Sequence, residues 1–370
     1  MTKNILTVFL LFLATDISGI NTAIHEQKIN QNHMDTLNLT KEWDKTFPKS
    51  DKVEHNKVTF INRYGITLAA DMYKPKGTTA HLPAIAICGP FGAVKEQAAG
   101  LYAQEMAKRG FLTIAFDPSF TGESGGSPRY MTSPDINTED FCAAIDYLVT
   151  NPDVDPEKVG IIGICGWGGL AINAAAADPR IKATIASTMY DMSRVTSNGY
   201  FDSDDSIEKR NKFRTELSAQ RTEDYRSGTP KLAGGLPEVL PKNAPDFLRE
   251  YYNYYKTERG YHPRSLNSNG GRNATSPIPW LNFPLMSRAN EIENAVMIVH
   301  GEKAHSLYFG NDAYKKLTIT PGKANNKILM IIPGANHTDL YDQKDIIPFN
   351  AFQQFFTEHL KQQKNELNPV

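Results

Sequence analysis

Residues 158–176 read KVGIIGICGWGGLAINAAA, and the reading of this stretch decides the fold. An apolar run from Val159 to Ile164 passes through Gly166, Trp167, Gly168 and Gly169 into alanine-rich text. Strand, glycine-rich bend and helix in direct succession place one side chain at a sharp apex, at the N-terminus of the helix. Free backbone N–H groups and the helix dipole favour a developing negative charge there. Counting along the strand puts Cys165 at the apex, with Gly163 two residues earlier, where a side chain would collide with the bend. A thiol so placed gains as a nucleophile, because the helix terminus lowers its pKa. A second frame puts Trp167 at the apex; it has no nucleophile and leaves a non-catalytic binding protein.

Outward from this bend, short apolar runs alternate with helical text: KVTFIN, ITLAADMYKP, AIAICG, a helix over 95–109, FLTIAFD, a helix over 140–150, KVGIIGI, a helix over 167–177 and IKATIAST. Alternation of this kind predicts an α/β protein with a mostly parallel sheet flanked by helices. The pattern stops after Asp191 and resumes with AVMIVHG, a helix near 312–317, KILMIIPG and a helix over 347–360, giving about eight strands. Residues 192–285, with charged helical text and the aromatic cluster EYYNYYKTERGYHPRS, are too long for a simple loop and read as a lid or cap insertion. The core therefore spans 51–191 and 286–370.

Residues 1–23 have the layout of a signal peptide, with Lys3 before the apolar run Ile5 to Ala14 and small residues after it. They imply an exported protein, periplasmic or extracellular, and no stretch is long enough to predict a spanning helix. Polar text over 24–50 reads as a surface arm. Forty basic and 41 acidic residues give a net charge of −1, which supplies no footprint for nucleic acid. Three cysteines without a CxxC pair or a Cys/His cluster predict neither a structural zinc site nor a disulfide scaffold. A Cys88–Cys165 disulfide, which would silence the thiol, stays open. No cofactor fingerprint or metal pattern is present, and the expected partner is a small-molecule acyl substrate.

The run Gly163 to Gly169 resembles the nucleophile elbow of α/β hydrolases in the dienelactone hydrolase-like branch, which use cysteine. The resemblance extends from about Lys57 to the C-terminus through GPFGAVKEQAAGLYAQEMAKRGF, FDPSFTGESGGSPR, STMYDMS, HGEKAHS and PGANHTDLYD, and includes polyketide transferases and thiohydrolases. It implies an α/β-hydrolase fold and a Cys-His-Asp type triad cleaving an ester, thioester or lactone through a cysteinyl acyl-enzyme. The same site serves an acyltransferase if the acceptor is not water.

In that scheme His337, in the loop after the last strand, is the general base. The acid is Asp191, after IKATIAST, or alternatively Glu302; the usual slot after AVMIVHG holds Ala304, and a dyad without acid is a third possibility. Gly166 N–H and Phe91 N–H are the expected oxyanion donors, since Pro90 has no N–H. Trp167, Asp117 and Tyr254 are the expected substrate contacts, with a salt-bridged anchor as the other reading of Asp117 and a packed helix face that of the lid tyrosines. His300 and His305 read as structural. A peptidase has no positive feature beyond the lid.

Overall fold

Strands apolar along their whole length are stable only where helices cover both faces. The structure, a computed structural model, describes residues 36–79, 81–322 and 324–361, and shows this arrangement around the bend. The signal-peptide expectation for 1–23 and the first part of the arm expected over 24–50 lie outside the described residues; residues 36–50 are irregular. Among the described residues no helix is long and apolar enough to cross a membrane.

In chain order the strands are β1 (Val53–Ile61), β2 (Thr67–Pro75), β3 (Leu82–Cys88), β4 (Leu112–Phe116), β5 (Val154–Ile164), β6 (Ala183–Ser187), a short pair β7 (Leu232–Ala233) and β8 (Arg272–Asn273), then β9 (Ala295–Gly301) and β10 (Lys327–Ile332). Eight form one sheet in the order β1-β2-β4-β3-β5-β6-β9-β10, while β7 and β8 pair with each other. β2 runs antiparallel to both neighbours and the other pairs are parallel. Every residue of β4, β6 and β9 is buried, as are the last six of β5. These continuous apolar runs were readable for that reason.

The helices are α1 (Ala98–Ala107), α2 (Pro134–Val149), α3 (Gly166–Ala177), α4 (Met192–Asn198), α5 (Ile207–Ser227), α6 (Asp246–Tyr255), α7 (Leu266–Asn269), α8 (Pro277–Trp280), α9 (Leu307–Thr318), α10 (Asp339–Asp342) and α11 (Phe349–His359). α1 packs on β4, α2 and α3 on β5, and α3 and α11 on β6. α2 begins at Pro134, earlier than the periodicity suggests, because a first-turn proline lacks only an N–H that has no helical partner anyway. Residues 192–285 contain α4 to α8 and the β7–β8 pair. α5 is long and polar, buries only Leu217, and is closed by Ser206 at its start and left-handed Gly228 at its end.

The β5–α3 connection is tight enough to dictate its residues. A Cβ on Gly163 would lie 2.1 Å from the Trp167 carbonyl oxygen and 2.8 Å from Ala171 Cβ, both fixed by α3. Gly163→Ala is therefore expected to lower the unfolding free energy by about 3 kcal/mol, read from urea melts. Gly270→Ala is the control: its backbone is extended (φ 179°) and nothing lies within 4 Å of the added carbon, so the change should stay below about 0.5 kcal/mol. Equal stability of Gly163→Ala and the wild type would refute the collision.

Candidate active site

Cys165 has φ 58° and ψ −124°, a left-handed conformation that a side-chain-bearing residue adopts only when its surroundings enforce it. The enforcement is hydrogen bonding. Its N–H donates to the Ser187 carbonyl at 2.9 Å, and its carbonyl accepts from the Gly168 and Tyr190 N–H groups, each at 2.9 Å. β6, α3 and the segment after β6 thus grip the apex from three sides. This geometry selects the frame with Cys165 at the bend.

Trp167 lies inside α3 and is buried against Phe116 and Phe141, with ring centroids 5.8 and 5.4 Å apart. It is a core residue and does not line the cavity, which corrects its expected place as a substrate contact. The elbow tolerates the indole because Trp167 has a large aromatic neighbourhood under the sheet rather than a crowded strand. The binding-protein reading loses one of its two supports, the indole in the cavity, and keeps the other, the acid slot filled by Ala304.

Before Cys165 lies a cavity of about 270 Å³, lined by Phe91, Tyr190, Tyr200, Tyr251, Tyr255 and Tyr341 among others. Residues from the insertion form much of its wall. Burial pushes the Cys165 thiol above its ordinary pKa. Hydrogen-bonding groups pull the other way: the Tyr341 hydroxyl, the Gly166 N–H, the Phe91 N–H and the Tyr251 hydroxyl all favour the thiolate. The two expected oxyanion donors therefore converge on the sulfur. The Phe91 turn is held from outside, where Asn267 Nδ2 donates to the Phe91 carbonyl at 2.8 Å and Ser265 Oγ to the Gly92 carbonyl at 2.9 Å. These two bonds fix the turn that carries the Phe91 N–H.

His337 is fully buried beside this cavity. Its Nε2 meets the Tyr341 hydroxyl at 2.9 Å, and its Nδ1 meets Ser306 Oγ at 2.6 Å and Thr188 Oγ1 at 2.8 Å. Among the described residues no carboxylate hydrogen-bonds the imidazole. Burial, and then the neighbouring His305 and His300, hold His337 well below its ordinary pKa, so it is neutral. Sequence reasoning missed Tyr341, Ser306 and Thr188. The available signal was weak: Tyr341 follows His337 by four residues, and hydroxyls have no diagnostic spacing.

Asp191 does not serve His337. It caps α4, accepting from the Arg194 N–H at 3.0 Å, and this correction follows from its place at the first turn of that helix. Glu302 does not reach the imidazole either; its Oε2 accepts from the Gly334 N–H at 2.8 Å and so holds the backbone of the loop that carries His337. Two hydroxyls thus stand where the triad scheme expects a carboxylate.

Asp117 is corrected as well, from substrate contact to anchor. It is buried and binds Lys95 Nζ at 2.8 Å, and the same ammonium meets Glu96 at 2.7 Å and Glu123 at 2.6 Å. Burial works against the Lys95 charge, yet Asp117, Glu96, Asp71 and Glu123 outweigh it and hold its pKa well above the ordinary value. Glu96, Asp117 and Glu123 stand close enough to hold a metal ion, but the ammonium already supplies their cation. Arg264 joins Glu96 at 2.8 Å and Asp44 at 2.7 Å, tying the insertion and residues before β1 to the core.

Tyr254 also leaves the expected set. It is buried against Tyr255 and Tyr341, at centroid distances of 4.8 and 5.0 Å, and supports the wall from behind while Tyr251 and Tyr255 line it. His305 lies beside His337, with ring centroids 4.8 Å apart and the planes tilted by 36°, and its Nε2 meets the Tyr190 and Tyr251 hydroxyls. The three cysteines are free.

The family described as X-Pro dipeptidyl-peptidase (S15 family) matches residues 64–303. The chain is 55% identical over 326 residues to the uncharacterised protein PA2218 of Pseudomonas aeruginosa, covering 88% of this chain and 86% of that one. The crystal structure of PA2218 superposes with a TM-score of 0.83 over 87% of this chain and 99% of that one, at 54% identity. A thiohydrolase of Aspergillus aculeatus is 32% identical over 137 residues, 37% of this chain and 42% of its own. The crystal structure of the α/β hydrolase GrgF from a Penicillium species shares the fold, with a TM-score of 0.63 and 19% identity over 83% of this chain and 99% of that one.

The raised thiol pKa makes a kinetic prediction. Iodoacetamide alkylation of Cys165, followed by peptide mass spectrometry, should accelerate about tenfold per pH unit from pH 7 to 9, because only the thiolate reacts. Cys142, pushed up to about 12, and buried Cys88 should lag behind. A Cys165 rate already flat above pH 7 would show a stabilised thiolate and contradict this electrostatic picture.

Proposed function

We propose, for a chain that belongs to the X-Pro dipeptidyl-peptidase (S15) family, hydrolysis of a carboxylic ester, thioester or lactone through a cysteinyl acyl-enzyme. One observation carries the reading: a left-handed Cys165 whose sulfur is faced by the Gly166 and Phe91 N–H groups at the wall of a cavity. The fold and its hydrolase and thiohydrolase relatives are consistent with it.

The residues suggest a relay rather than a triad. The Cys165 thiol passes its proton to the Tyr341 oxygen as the Tyr341 hydroxyl proton passes to His337 Nε2, and the sulfur attacks the carbonyl carbon. The developing oxyanion takes the two N–H donors. Collapse breaks the bond to the leaving group, which receives the proton back along the same path. Water then attacks the thioester, losing a proton to His337 through Tyr341, and the acid departs as the thiol is restored. With Nε2 accepting, Nδ1 carries the ring hydrogen and donates to Ser306 or Thr188, which orients the imidazole as a carboxylate does elsewhere. Transfer to an alcohol or amine uses the same acyl-enzyme and is distinguished by product analysis. Export of the protein remains part of the proposal.

Kinetics on activated acyl esters test the assignment. Cys165→Ala should abolish turnover, and His337→Ala should lower kcat/KM by about 100-fold or more, as expected for a lost general base. Tyr341→Phe should fall by at least about tenfold and mainly in kcat, since it removes a proton path and not a binding surface. Undiminished turnover in Cys165→Ala would reject the mechanism, and unchanged kcat in Tyr341→Phe would reject the relay. Cleavage of X-Pro peptides in place of esters would replace the proposed substrate class.

A further inference from the structure

Among the described residues, the cavity before Cys165 carries charge at one point. Its lining is aromatic, apolar or neutral except for Arg272, which also lines an adjoining cavity of about 250 Å³, where it is again the sole charged residue. Phe91, Met192, Thr196 and Gly234 are shared by the two cavities, so Arg272 stands at their junction.

Arg272 is delivered there by the insertion. It lies in β8 opposite Ala233 of β7, and the Asn273 N–H donates to the Tyr130 carbonyl at 2.8 Å, fixing the strand end to the core. Its guanidinium carbon lies 4.7 Å from the centroid of the Phe91 ring, whose backbone N–H is an oxyanion donor. The positive charge thus shares a cavity wall with Cys165.

Three other arginines of the insertion are matched by carboxylates, Arg194 by Asp202 and Asp312, Arg259 by Asp342 and Arg264 by Asp44 and Glu96, while Arg249 and Arg214 donate to neutral oxygens. The Arg272 guanidinium, by contrast, makes no hydrogen bond or ion pair among the described residues and packs over the Phe91 ring. Burial draws its pKa below the ordinary value, and the groups that favour its charge are Cys165, Tyr200 and Tyr255, none of them a carboxylate. Arg272 is half-buried, its guanidinium nitrogens stay accessible from the cavity, and a planar carboxylate matches a guanidinium with two parallel hydrogen bonds. One cation in an otherwise neutral wall suits a monoanion rather than a phosphate dianion.

We propose that Arg272 is an anion subsite, and that the acyl compound cleaved here carries a free carboxylate at the end remote from its reacting carbonyl, as a half-ester or half-thioester of a dicarboxylic acid does. This rests on the acyl-enzyme reading of Cys165 and names its substrate class.

The test compares mono-4-nitrophenyl adipate with its methyl ester, two substrates that differ in the remote charge. The wild type should prefer the anionic ester at least tenfold in kcat/KM. That ratio should fall at least tenfold in Arg272→Met and be partly restored in Arg272→Lys, with circular dichroism verifying that both variants fold. Adipate binding to the full chain, measured by calorimetry, should weaken at least tenfold in Arg272→Met. Equal use of both esters by the wild type, or a preference that survives Arg272→Met, would overturn the subsite. The two readings fail separately. Adipate bound through Arg272 without acylation of Cys165 by either ester defeats the enzyme reading and keeps the subsite. Acylation of Cys165 by both esters alike, without adipate binding, defeats the subsite and keeps the enzyme.

Discussion

The left-handed turn at Cys165 is the constraint on which the rest depends. A residue with a Cβ resists φ near 58°, so three backbone hydrogen bonds and the close approach of α3 to β5 must hold it there. In return the sulfur stands clear of the strand, before the first turn of a helix, where unpaired N–H groups converge. Gly163 allows the approach, Ser187 and Tyr190 tie the apex to β6, and the Phe91 turn completes the donor pair. Loosening any of these elements changes where the sulfur points before it changes the fold.

Around the sulfur, the electrostatics are those of a neutral site. An ion-paired thiolate requires a cationic imidazole, and a cationic imidazole requires a counter-charge. His337 is buried among hydroxyls, aromatic rings and two other histidines, one of which, His305, is pushed down to about 4 by burial. Glu250, on α6, lies 3.9 Å from His305 Nδ1 and is pushed up to about 7 by its own burial, against the pull of the nearby His337 backbone N–H. A carboxyl so placed is about half ionised at neutral pH. Such surroundings favour concerted proton movement through Tyr341 over separated charge, and they leave Arg272 as the one fixed charge that a ligand entering the cavity meets.

Much of the fold was legible because central parallel strands, buried on both faces, appear as continuous apolar runs. KVGIIGI, IKATIAST and AVMIVHG became β5, β6 and β9 within a few residues. The nucleophile position was legible for a related reason: a bend this tight admits glycine at Gly163 and little else. The partners of His337 were not. Contacts among Thr188, Ser306, Tyr341 and His337 join segments up to 149 positions apart, and side-chain hydroxyls leave no periodic trace. Asp191 misled because a helix-capping aspartate after a strand looks the same in sequence as a catalytic one. Asp117 misled because a loop at the carboxyl end of a parallel strand is where ligands usually bind, whereas here Lys95 holds it. Arg272 lay in text with no pattern, and only the ties of the insertion to the Phe91 turn and to Tyr130 give its charge a place.

The central claim is that the thiol at the apex accepts an acyl group. Intact-protein mass spectrometry, taken within seconds of mixing with an activated acyl ester and followed by peptide mapping, tests it most directly. The account predicts a mass increase of one acyl group on Cys165 that decays as acid is released. Acyl groups on other residues, or none on Cys165 while ester is consumed, would contradict it.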